Sequence, residues 1–133
     1  MNDKVSGPVS KPEFKIDIPH IDISQAMVDF ANDSDLYILV LRTFMTSSPP
    51  ILAKLRNVSE ETLHSCYVKT HGLKGNLGNI YAEDLRAEAA VVEALAKEGD
   101  LEGYKLALAP FLEKIELFLA DVRAWFESYD AKK

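Results

Sequence analysis

One stretch of the chain, THGLKGNLGNIY at residues 70–81, sets a histidine, a lysine and three glycines within a dozen positions. Imidazole is a usable nucleophile near neutral pH, and an ammonium group close to it can neutralise an anion brought to the ring. Two different sites use such residues. One is a glycine-rich loop that cradles a phosphate; the other is a helix that presents a histidine on its surface. A Walker-type loop requires GxxxxGK[ST] directly after a buried strand, whereas here Lys74 precedes Gly75 and the upstream pattern is helical. The dinucleotide fingerprint GxGxxG is absent as well. The stretch reads as helix.

At about 100° per residue, His64, Tyr67, Val68, Lys74, Gly75 and Gly78 all fall within about 60° of His71. Leu73 and Cys66 fall about 160° and 140° away, on the side that carries the apolar stripe Leu63, Cys66, Thr70, Leu73 and Leu77. His71 is therefore expected to face outward. Each glycine inside a helix costs about 1 kcal/mol relative to alanine, so Gly72, Gly75 and Gly78 together cost around 3 kcal/mol. Gly75 lies one turn from His71 on its own face, where a side chain would crowd an approaching group. Gly78, followed by Asn79, serves the same purpose or marks the helix end. His64 and His71 are seven residues apart, roughly 10 Å along a helix, too far to share one metal ion. His64 reads as a docking or solvated residue, and Cys66 as a packing residue on the buried stripe. No cofactor or metal site is expected.

The elements that must hold this stretch follow from the apolar period. Residues 1–20 hold three prolines and no sustained period, and are expected to be a flexible tail or linker, with the folded domain at 21–133. Asp22 with Gln25 resembles a capping box opening the short helix ISQAMVDFA. Asp33 or Ser34 caps a second helix, whose apolar residues include Leu36, Leu39, Val40 and Phe44; Pro49 and Pro50 interrupt or kink it, and Ile51, Leu52 and Leu55 continue in the same helical direction. A third helix is expected from near Ser59. A fourth runs from about Ala82 to Glu98, with Leu85, Ala89, Val92 and Ala96 inward and Gly99 placed to end it. In the fifth, Tyr104, Leu108, Phe111, Ile115, Phe118, Val122 and Trp125 alternate steps of four and three. Pro110 points to a bent helix in a compact bundle. Trp125, Phe126 and Tyr129 belong to that core or mark a contact surface. The expected fold is all-α: an up-down four-helix bundle with a short extra N-terminal helix.

Composition narrows the function classes. The chain has 133 residues, 47% of them hydrophobic, which suits one domain with a packed core. The lone cysteine allows no internal disulfide and suits a reducing cytoplasm. No apolar run approaches 18 residues, so neither a membrane partner nor a signal peptide is expected. Lys plus Arg number 15 and Asp plus Glu 21, a net charge of −6, which argues against nucleic acid as a partner. Between His64 and Ala82 there is no acidic residue. That gap either meets an acidic partner surface or is a chance feature of a mixed surface.

The stretch His71-Gly-Leu-Lys74-Gly75, on the third of five helices, resembles the HxLKG motif of histidine-containing phosphotransfer domains of two-component phosphorelays. The resemblance extends from Ile21 to about Tyr129. It implies a phosphoryl group carried on His71, taken from the aspartate of one receiver domain and passed to the aspartate of another. Lys74 matches the family's lysine that neutralises phosphate oxygens, and Gly75 its small residue that opens access to the imidazole. It also implies docking around His64, Tyr67, Val68 and Gly78, and as partners response-regulator receiver domains and a hybrid sensor histidine kinase. The implied protein is a cytoplasmic monomer that carries phosphate without being an enzyme itself. Two positions depart from the pattern: Gly72 stands where many members have Ser or Thr, and Tyr81 where many have glycine. A non-phosphorylated helical adaptor and the dimerisation and phosphoacceptor domain of a histidine kinase are the competing readings. Intact His71 and Lys74 argue against the first, and Gly72 with five helices against the second.

Overall fold

The computed structural model describes residues 15–132, and among these there is helix and connecting chain but no strand. The helices are α1 (Ile23–Asp29), α2 (Ser34–Leu55), α3 (Leu63–Asn79), α4 (Glu83–Lys97) and α5 (Leu101–Ala131). Three begin on aspartate caps. The carboxylates of Asp22, Asp33 and Asp100 accept from the backbone N–H of Gln25, Leu36 and Gly103 at 3.1, 3.0 and 2.9 Å, satisfying donors that the first helical turn leaves free. Gly99 ends α4 in a left-handed conformation (φ +77°) that glycine adopts without strain.

Helices α2 to α5 form the expected four-helix bundle, each packed on its chain neighbour and α5 returning against α2. Side-chain pairs give the directions. Arg42 pairs with Asp130 and Arg56 with Glu116, so moving up α2 means moving down α5. Likewise Gly78 of α3 abuts Arg86 while Lys74 pairs with Glu93, so α3 and α4 are antiparallel. The core lies between these four helices and includes Tyr37, Leu41, Phe44, Leu73, Leu77, Leu85, Tyr104, Phe111, Ile115 and Phe118. The inward residues expected for α4 and α5 are buried, except that Trp125 is only partly so.

Four local expectations are corrected. Pro49 and Pro50 do not interrupt α2, which continues through Ile51, Leu52 and Leu55 because Phe44 before the prolines and Leu52 and Leu55 after them pack into one core. Leu36 and Leu39 of α2 are exposed; Tyr37, Ile38 and Leu41 take the inner face. By length and apolar content alone α2 could cross a bilayer, but here its inner apolar face lines the bundle. The third helix starts at Leu63 and not near Ser59. Thr62 Oγ1 there accepts from Ser59 N–H and donates to Asn57 O, closing a turn in place of a first helical turn.

The fourth correction concerns the chain before α1. The expected tail 1–20 is not all tail, because Ile16 and Ile18 are 7% and 6% exposed and belong to the core. Residues 1–14 lie outside the described residues. Trp125 donates its indole N–H to Lys15 O at 2.9 Å, and its ring stacks on Tyr129 at 5.0 Å. The aromatic end of α5 is thus covered by the protein's own N-terminal strap. His20 closes that strap on the bundle, with Nδ1 2.7 Å from Asp84 Oδ2.

Burial of this strap has a measurable consequence. Ile18→Ala should cost about 2–5 kcal/mol, the usual range for truncating a buried isoleucine, read as a lower urea midpoint. An unchanged midpoint would show that residues 15–20 do not contribute to the packed unit.

Candidate functional site

The middle of α3 divides by face as its period requires. Cys66, Thr70, Leu73 and Leu77 are buried, and the His71 side chain on the opposite side is 62% exposed. Thr70 is the one polar member of the inner stripe. Its hydroxyl is satisfied by Cys66 O and by the Tyr104 hydroxyl, both at 2.8 Å, which anchors α3 to α5 directly beneath His71. His64, Tyr67 and His71 form a row of rings along the outer face, with centroids 6.0 and 6.4 Å apart. His64 and Tyr67 border an open cleft of about 480 Å³ that also touches Leu63, Ala96 and Lys97. Val68, also on this side, is 54% exposed. The structure therefore brings His64, Tyr67, Val68, His71, Lys74 and Gly75 to one side of α3.

Gly78 differs from its fellows. A Cβ built there would stand 3.0 Å from Arg86 Cδ, so this glycine makes room for a side chain of α4. At Gly72 and Gly75 a Cβ would meet nothing within 4 Å, and neither has a left-handed backbone. No packing reason requires glycine at either position.

A residue that the motif does not contain completes the site. Glu93 of α4 lies under His71, 7% exposed, with Oε2 2.6 Å from His71 Nδ1 and Oε1 2.7 Å from Lys74 Nζ. Lys74, the expected neighbour of a phosphate, is half-buried and paired with this carboxylate. One carboxylate thus joins two residues that stand one turn apart on the neighbouring helix. A signal for Glu93 was present: it lies about 40° from Ala89 on the α4 wheel, within the apolar arc. A charge on a buried arc requires partners.

Burial alone would raise the Glu93 carboxyl, but hydrogen bonds and charge from Lys74 and His71 outweigh that, and the net displacement is downward. Glu93 is therefore an anion at neutral pH and can only accept. It follows that Nδ1 of His71 donates, which places the neutral ring's proton on Nδ1 and its free lone pair on Nε2. The second nitrogen is the one left to act on something outside the protein.

The departure at Tyr81 also has a local cause. Tyr81 adopts φ +66°, the left-handed region usually given to glycine, in the short turn between α3 and α4. Its hydroxyl donates to Asp29 Oδ2 at 2.6 Å and its carbonyl accepts from Asp22 N–H at 2.9 Å. The tyrosine thereby ties α1 to the turn that sets the α3–α4 register. Comparison with family models, with curated proteins and with solved structures gives no match.

The lowered Glu93 carboxyl makes a signed statement about acid. Its stabilisation is present above the ordinary carboxylate range and is lost as pH falls through the lower folded-state value. Wild type should therefore exceed Glu93→Gln in urea-unfolding stability at about pH 6, and that margin should shrink towards about pH 3. A margin that is constant or widens in acid would contradict the pairing.

Proposed function

We propose that this chain is a phosphorelay intermediate, which accepts a phosphoryl group on His71 from a receiver-domain aspartate and hands it to another. The observation that carries this reading is the orientation of His71: Nδ1 bound to a buried carboxylate, the rest of an exposed ring turned outward. The HxLKG-like sequence around it supports the same reading.

The step requires little of the protein beyond geometry. The Nε2 lone pair attacks phosphorus of an aspartyl phosphate; the N–P bond forms as the P–O bond breaks, and the aspartate departs as carboxylate. No proton has to move. The ring then bears positive charge with its proton still on Nδ1, and Glu93 at 2.6 Å balances that charge. Lys74 holds Glu93 ionised and aimed, and adds a cation beside the arriving phosphate. Gly72 and Gly75 leave the approach clear. His64, Tyr67 and Val68 supply a mixed ring-and-apolar surface for a receiver domain to rest on. The chain is then carrier and substrate, with catalysis residing in its partners.

A phosphorylated receiver domain should label the wild-type chain with an acid-labile, base-stable phosphate. His71→Gln should abolish that label, while His64→Gln and His20→Gln retain it. Persistent labelling of the His71 variant would sink the assignment, and absence of label on wild type with several receivers would favour an adaptor role.

Gly75 offers an independent check that separates folding from transfer. Gly75→Gln enters open space on a helical backbone, so the variant should melt at the same temperature or higher, by up to about 1 kcal/mol of helix propensity. Transfer to His71 should nonetheless fall steeply, since about 1 Å of misplacement can cost a hundredfold in rate. Normal transfer by a folded Gly75→Gln would refute the access argument.

A further inference from the structure

We infer that Glu93 sets how long a phosphoryl group stays on His71, by keeping the Nδ1 proton in place after Nε2 has been phosphorylated. This rests on the phosphotransfer reading of His71 and concerns the state that follows it.

A phosphorylated imidazole has two forms. With a proton on Nδ1 the ring is a cation, and when the N–P bond breaks it departs as neutral imidazole. Without that proton it must depart as an imidazolate anion, a far poorer leaving group. The occupancy of one proton therefore governs both onward transfer and loss to water. In onward transfer a receiver carboxylate oxygen bonds to phosphorus, the N–P bond breaks, and its electron pair returns to Nε2 while the Nδ1 proton stays. Hydrolysis follows the same course with water as nucleophile, the water's proton passing to the released phosphate or solvent.

The geometry around Nδ1 admits one of these forms. An unprotonated Nδ1 would set its lone pair against the Glu93 Oε2 lone pair at 2.6 Å. Glu93 has no easy way to turn aside, because it is buried against α3 and its other oxygen is held by Lys74 at 2.7 Å. Nor does it readily take the proton itself, since the Lys74 ammonium favours the carboxylate. The other titratable groups near the ring are Tyr67 and, a turn further along α3, His64, with Lys97 of α4 across the same cleft. The partners of Glu93 among the described residues are His71 and Lys74, and the Lys74 charge is already opposed by that carboxylate. Glu93 is a positioning residue here: it touches no substrate and acts through the ring. A glutamine in its place could accept from Nδ1–H or, turned over, donate to bare Nδ1, and would tolerate both forms.

The test needs no receiver domain. Potassium phosphoramidate phosphorylates exposed histidines directly, and His20→Gln with His64→Gln leaves His71 as the sole histidine of three. In that background the loss of the phosphohistidine ³¹P signal is followed with Glu93 and with Glu93→Gln. At pH 8 the Glu93 chain should lose phosphate roughly tenfold faster, the factor that about 1.4 kcal/mol supplies. At pH 5, where both rings are protonated, the two rates should converge. Equal lifetimes at pH 8, or one ratio at both pH values, would overturn the inference, as would failure of phosphoramidate to label His71. ¹⁵N spectra of the phosphorylated Glu93 chain at pH 8 decide the matter even if the variant misfolds: an unprotonated Nδ1 overturns the inference. Since the donor is a small molecule, these results stand apart from whether a receiver labels the chain.

Discussion

A carboxylate that is 7% exposed must be paired, and both partners of Glu93 stand on one neighbouring helix. That constraint fixes more than a hydrogen bond. It sets the rotation of α4 about its axis, because the side chain has to emerge from the buried arc facing α3. It also sets the register of the two helices, because His71 and Lys74 are one turn apart and only one height on α4 reaches both. The other contacts between these helices fall into step with it: Arg86 against Gly78 towards the turn, and Ala96 and Lys97 beside His64 and Tyr67 towards the far end. A slip of one turn, about 5.4 Å, would leave a buried anion unpaired and press Arg86 against a residue that is not glycine.

The rest of the fold supports that pair of helices from behind. Thr70 and Tyr104 tie the floor of the site to α5, and the Tyr37 hydroxyl donates to Ile80 O at 2.7 Å, holding the α3–α4 turn to α2. Tyr81 in the same turn accepts a strained backbone and binds α1 through Asp29. The N-terminal strap, with buried Ile16 and Ile18, is held to α5 by the Trp125 contact to Lys15 and to the start of α4 by His20 and Asp84. Two of these attachments hold the α3–α4 turn and one holds the middle of α3, so the exposed ring of His71 projects from a frame fixed beneath it and at the turn.

How far the sequence disclosed this depended on how periodic each feature was. Helices α3 to α5 follow a regular apolar step, and their inner faces could be read position by position. The face carrying His71, Lys74 and Gly75 was legible for the same reason. Features resting on contacts distant in sequence were not. Ile16 and Ile18 sit among prolines with no period of their own, and only burial against the folded bundle makes them core. Pro49 and Pro50 are breakers by local rule, yet the continuous core on either side carries α2 past them. The partner of Lys74 was not legible because it lies nineteen positions away on another helix, 93 − 74 = 19. Glu93 went unread although it is an acid on an apolar arc, and an arc cannot say which groups across the interface will answer it.

The glycines beside His71 complete the physical picture because the fold does not need them. Gly78 is accounted for by Arg86, and Gly99 by its left-handed backbone. Gly72 and Gly75 have neither reason: each has helical backbone and open space where a side chain would stand. Alanine at either position should favour the helix by up to about 1 kcal/mol. Proteins commonly forgo stability of this kind where a surface must stay clear or mobile for a partner. Here the two positions lie one residue and one turn beyond His71, on the C-terminal side of the imidazole. The buried carboxylate points one ring nitrogen inward, and the missing side chains leave the other uncovered. Anchoring beneath and clearance above are opposite demands on one short stretch of helix, and the residues at 71, 72, 75 and 93 meet both.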